Sequence, residues 1–214
     1  MDSNDKQSYQ SEQKQGNLNS TLTSKVGKVL QILAQLGDQV QTPQVISPFH
    51  STIPTNIPVQ PYFLYVSINS GLSDQQAIVS LILIERICNM AMQRGIHLVI
   101  NSLTIHRLIL ASILLTSKFY NDIFYGNHFA AYIGGIQLDE MNLLESEFLN
   151  YINWKLWVEI EEYDYYLKGT RFRAPILGCC NYESKHLNLY REKALFIQLK
   201  FRIFQTFRVR IHMI

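Results

Sequence analysis

Residues 103–120 read LTIHRLILASILLTSKFY, with no proline or glycine and with apolar side chains on nearly every side of a helical wheel. A helix of that kind is stable in water only as the buried centre of a bundle, wrapped by other helices. Asn101-Ser102 stands ahead of it as a candidate cap, so the helix is expected over Leu103–Tyr120. The flanking pattern supplies the wrapping. Val59–Asn69 is one helix, closed by Ser70-Gly71. Ser73 followed by Gln76 makes a capping-box pattern for the next, which runs through Ile78, Leu81, Ile82, Glu85, Arg86 and Met90 to a stop near Gly95. A loop with Gly126 leads to a short helical piece over His128–Ile133. Gly134-Gly135 then breaks the chain before a helix over Gln137–Ile152. No segment shows a strand's period of two. The fold class is all-α.

Upstream of this bundle, Val26, Val29, Leu30, Leu33 and Leu36 recur at helical spacing, with Thr23 or Ser24 as cap and Gly37 as stop. A short amphipathic helix like this needs a surface to lie on. Five of the six prolines fall between Pro43 and Pro61, so that stretch is expected to be extended. Residues 1–20, rich in Gln, Asn, Ser and Lys, read as disordered. The net charge of +2 over 214 residues hides a division: residues 1–167 carry 9 basic and 15 acidic side chains, net −6, and residues 168–214 carry 10 and 2, net +8.

Several classes drop out. The longest apolar runs, Ala77–Ile84 and Leu108–Leu115, are interrupted by Ser80 and Ser112 and fall short of the roughly 20 residues of a membrane span. The polar, acid-containing N-terminus is unlike a secretory or mitochondrial leader. Three cysteines, two of them adjacent (Cys179-Cys180), make no disulfide framework, which fits a reducing intracellular setting, cytoplasm or nucleus. The six histidines lack HExxH-type spacing, and there is no GxSxG and no P-loop. Cys179-Cys180 lacks zinc-ligand spacing, His106 reads as a structural histidine and Cys88 as core. No catalysis, cofactor or metal is expected.

Two helices carry charges in unexpected places. On 137–152, Leu138, Met141, Leu144, Phe148, Leu149 and Ile152 form an apolar arc, from which Asp139, Glu140 and Glu147 fall away. Glu145 lies inside that arc, four residues after Met141 and three before Phe148. A carboxylate there is costly without a donor, so it is either paired internally or kept for a partner. On the central helix, Arg107, Ala111, Leu114 and Lys118 share one stripe, with a cation at each end of an apolar patch. Either this face meets something beyond the domain's own core, or both cations reach water past the helix ends. Lys118, in the last turn, also suits the helix dipole.

These residues resemble the cyclins. The helix ending in Ser117-Lys118-Phe119 is similar to the third helix of a cyclin box, and Leu144-Glu145 through Trp154 to the fifth. The finer likeness is to the Pho80-like and plant P/U-type branch. It runs through Phe49-His50, Ile57–Tyr62, Ile84-Glu85-Arg86-Ile87, NSLTIHRLIL (101–110), SKFYND (117–122) and YIGGIQLDEMNLLESEFL (132–149). It spans roughly 49–158.

The resemblance implies a single five-helix cyclin box over 49–168, preceded by a flexible region 1–48 with its short helix and followed by a basic, helical extension 169–214. It implies a regulatory subunit that binds and activates a cyclin-dependent protein kinase, Pho85-like or PCTAIRE-like, by holding the kinase C-helix in its active position. Lys118 and Glu145 match the pair that grips that helix; Ala111, Leu114 and Phe119 form the adjoining apolar patch, with Arg107 beyond. Both charges are then expected to find partners only when the kinase docks. Asn121 stands where the branch usually has an acid, and Tyr62–Asn69 lacks a recognisable substrate-docking motif. The basic segment 170–214 leaves an alternative: a cyclin-fold module associated with nucleic acid or transcription, though without the paired CxxC of a zinc ribbon. Leu195, Leu199, Ile203 and Phe207 recur there every four residues, as in a basic amphipathic helix that covers the box or lies on a membrane surface.

Overall fold

The computed structural model describes residues 21–39 and 47–171. Among them it places α1 (Leu22–Gly37), α2 (Val59–Asn69), α3 (Asp74–Gln93), α4 (Ile105–Tyr120), α5 (Asn127–Gly134), α6 (Leu138–Tyr151) and α7 (Ile160–Arg171), with no strand. The expectations for residues 1–20, for Cys179-Cys180 and for the basic segment beyond Arg171 lie outside the described residues.

The hydrophobic centre is where the composition of α4 puts it. From Ile105 to Ser117 every residue except Arg107 is buried. Helices α2, α3, α5 and α6 all pack on it. The helix begins two residues later than expected because Asn101 folds a tight turn: its Oδ1 accepts the N–H groups of Leu103 (3.1 Å) and Thr104 (3.2 Å). The capping box of α3 forms as the spacing requires, with Ser73 and Gln76 exchanging side-chain bonds to each other's backbone N–H.

Helix α1 lies on α2 and α3, with Val26 and Leu30 fully in the core. Its cap is Thr21, whose side chain accepts from the Ser24 N–H, and not Thr23 or Ser24. Thr23 is occupied elsewhere: its N–H (3.0 Å) and its hydroxyl (2.5 Å) both donate to Oδ1 of Asp74, in the first turn of α3. One carboxylate thus serves the starts of two helices. At the other end, Asp38 Oδ1 accepts the Ser102 N–H at 2.8 Å. The last residue of α1, Gly37, lies against the chain before α4, and a Cβ built on it would sit 1.8 Å from the Ile100 carbonyl oxygen. Gly37→Ala is therefore expected to force backbone movement and lower the melting temperature by several degrees. Gly126→Ala, whose Cβ meets nothing within 4 Å, should leave it unchanged; thermal scans of the two variants check this.

Helix α7 is an addition to the expected set. Tyr163, Tyr166, Leu167 and Thr170 follow helical spacing and pack inward on α1 and α3. Polar bonds hold it too. The Tyr166 hydroxyl donates to Glu85 at 2.5 Å, and Arg86 Nη2 pairs with Glu162 at 2.7 Å. Burial pushes the Glu85 carboxyl above the usual carboxylate range, and the Tyr166 bond opposes that rise. Between α6 and α7 the chain turns through two successive left-handed residues, Asn153 (φ 51°) and Trp154 (φ 61°). Arg94 braces the turn by donating to the Asn150 carbonyl (2.9 Å) and to Asn153 Oδ1.

Candidate functional site

The two displaced charges meet. Lys118, in the last turn of α4, places Nζ 2.6 Å from Oε1 of Glu145 on α6. Asn127, the first residue of α5, closes a triangle: its Oδ1 accepts from Lys118 Nζ (2.6 Å), and its Nδ2 donates to Glu145 Oε2 (2.6 Å) and Asn142 Oδ1 (2.7 Å). Glu145 can sit among Met141, Leu144 and Phe148 because both its oxygens have donors. The expectation that these charges wait unpartnered for a kinase is corrected: each already has two partners inside the domain. They are not sealed off, since the side chains remain 26% and 17% exposed for Lys118 and Glu145.

The other expected residues divide. Ala111 and Leu114 do not form an outward patch, because their stripe of α4 faces the domain's own core and leaves Leu114 only 4% exposed. Arg107 is also spoken for. It pairs with Glu140 at 2.6 Å and donates to the Ser51 hydroxyl, tying α4 to α6 and to the chain ahead of α2. Eleven residues of helix put it about 16 Å along α4 from Lys118, outside the same cluster. Phe119 stands at the surface, 46% exposed beside Lys118, with its ring edge-on to Tyr120.

Apolar side chains that the sequence reading passed over continue the surface. The α4–α5 connection carries Ile123 at 92% exposure together with the half-exposed Phe124 and Tyr125. The Tyr125 ring lies on Phe129 at 4.2 Å, over a shallow cleft also lined by Leu114, Ser117 and Ala130. The available signal was three large apolar residues in a row in a connection too short to bury them. Asn121 serves the fold. It accepts from Gln76 Nε2 (2.5 Å) and donates to the Ser117 hydroxyl (3.3 Å), a donor role that the branch's usual acid could not fill.

A half-buried Lys–Glu–Asn triangle thus joins three helices, with the exposed Phe119 beside Lys118. Comparison with known proteins gives the family. The family model described as Cyclin matches residues 1–156. The chain belongs to the cyclin family. Among its relatives, Cyclin-U4-2 of Arabidopsis thaliana is 33% identical over 150 residues, covering 68% of this chain and 68% of the relative. Cyclin-U4-3 of the same plant is 29% identical over 179 residues, covering 84% and 74%. PHO85 cyclin-7 of Saccharomyces cerevisiae is 43% identical over 68 residues, covering 32% and 24%. Cyclins of this plant U-type and Pho80-like group are regulatory proteins, and the all-helical bundle agrees with a cyclin box. Among the described residues, no helix is long and apolar enough to cross a membrane, and no His, Cys, Asp and Glu cluster could hold a metal ion.

Proposed function

We propose that this cyclin is the regulatory subunit of a cyclin-dependent protein kinase and activates it by holding the kinase C-helix in the active position. The observation that carries the reading is the Lys118–Glu145–Asn127 triangle at the edge of the exposed Phe119–Tyr125 surface. A kinase alone favours an arrangement in which its C-helix glutamate is away from its phosphate-binding lysine. A partner that binds only the helix-in state shifts that equilibrium by its differential affinity, and going from mostly off to mostly on takes about 5.5 kcal/mol. An interface of standard size with a desolvated aromatic centre supplies this, with charges at its edge setting register. The relatives named as PHO85 cyclins support a Pho85-type kinase as the partner.

The full chain mixed with a recombinant Pho85-type kinase is expected to co-elute with it and to raise its phosphorylation of a proline-directed peptide at least tenfold. A kinase that neither co-elutes nor gains activity, in the presence of correctly folded cyclin, would overturn the reading.

A further inference from the structure

Lys118 and Glu145 are long side chains, and each has much rotamer freedom to lose when a partner fixes it. The residue that fixes them in advance is short. Asn127 has two side-chain torsions and opens α5, a helix seated against both α4 and α6, with Ala130, Ala131 and Ile133 buried. Its Oδ1 accepts from Lys118 Nζ, and its Nδ2 donates to Glu145 Oε2, both at 2.6 Å. The same Nδ2 is steadied by Asn142 Oδ1 of α6 at 2.7 Å. A neutral amide accepts and donates together, so one side chain holds a cation and an anion at once, which neither an acid nor a base in this place could do. Two of the three N–H groups of the Lys118 ammonium are then used, on Glu145 and Asn127, and one is left for a partner.

Without the amide, Lys118 and Glu145 would remain a partly exposed ion pair, a contact that adds little to stability and does not hold one geometry. We propose that Asn127 is a positioning residue for kinase binding: it immobilises the Lys118 ammonium and the Glu145 carboxylate in the free cyclin, so that the kinase meets a pair already in place. This rests on the kinase-binding reading above and adds to it how the pair is kept ready. Ordering done before the encounter is ordering that binding need not supply. Asn127 acts through the two charges and does not itself touch the kinase.

The test uses the full chain and takes three readings. They are affinity for a recombinant Pho85-type kinase, mobility of the Lys118 ammonium in the free chain by nitrogen relaxation NMR, and melting temperature. Asn127→Ala is expected to loosen the ammonium and to weaken binding about tenfold, while the melting temperature falls by no more than about 2 °C. Asn127→Asp keeps the bond to Lys118 and puts an acid where the start of a helix favours one, so its fold should be at least as stable. Its second carboxylate oxygen faces Glu145 and turns that side chain away, so binding should fall by at least as much. Unchanged affinity in either variant overturns the inference. So does weaker binding by Asn127→Ala with the Lys118 ammonium as immobile as before, which would make Asn127 a contact residue. If Asn127→Ala does not fold, Asn127→Asp decides: weaker binding at an unchanged melting temperature supports the inference, and a fold lost in both overturns it. A kinase that fails to bind the unmodified chain overturns the kinase-binding reading together with this one; a kinase that binds the unmodified chain and both variants equally overturns this inference alone.

Discussion

Exchanging the two charges of the proposed docking pair, Lys118→Glu together with Glu145→Lys, is expected to leave a folded protein that no longer holds the kinase. The exchange keeps an ion pair across α4 and α6, and the Asn127 amide can serve either arrangement because it both donates and accepts. Stability should change by no more than about 1 kcal/mol, the scale of a partly exposed pair. Toward the kinase, every charge is reversed. Affinity should fall by roughly a hundredfold or more, the loss usual when a paired interfacial charge is removed or opposed. Either single alanine variant should lose binding to a similar degree with a small drop in melting temperature. Isothermal titration against the kinase, beside a thermal scan, separates the outcomes. Full binding by the exchanged pair would show the triangle to be a structural clasp with no part in docking.

The second large effect concerns stability. Phe49 is fully buried, with its ring edge-on to Phe148 at 6.0 Å and Tyr151 at 6.2 Å, both on α6. It anchors an otherwise irregular stretch, which is pinned nearby by the Ser51 N–H donating to the Leu103 carbonyl at 2.8 Å. Phe49→Ala removes a large ring from a packed site and should cost about 3–5 kcal/mol. For a domain of this size that lowers the melting temperature by roughly 6–20 °C. Calorimetry decides the point, and a fall of under about 2 °C would mean the segment is not anchored through this ring.

The two predictions differ in how far the sequence alone supports them. The helices around α4 were legible because their cause is local: an all-round apolar helix needs a wrapping, and Ser73–Gln76, Gly71, Gly95 and Gly135 mark its joints. The oddness of Glu145 was legible for the same reason, as a carboxylate out of phase with its neighbours. Its partner was not. Lys118 lies 27 residues away on another helix, and nothing in either helix's period says that the two side chains meet. Ala111 and Leu114 were misplaced because a stripe bounded by charges looks like a surface until α5 and α6 are known to cover it. Helix α7 was not legible because two of its four inward residues are tyrosines, and the Tyr166 hydroxyl finds Glu85 only in the folded chain.

The shared carboxylate of Asp74 bears on the order in which the molecule assembles. The groups that fix α1 lie 51 residues downstream at one end, at Asp74, and 64 downstream at the other, at Ser102. During synthesis α1 leaves the ribosome long before either is available, and contacts closing such long loops form late. A helix of this length is marginal alone in water, so it gains its place only on an already folded α2–α3–α4 core. Helix α1 is then among the last parts to become native, and a truncated or stalled chain ending before residue 102 leaves the apolar stripe of Val26, Leu30 and Ala34 open to unintended partners.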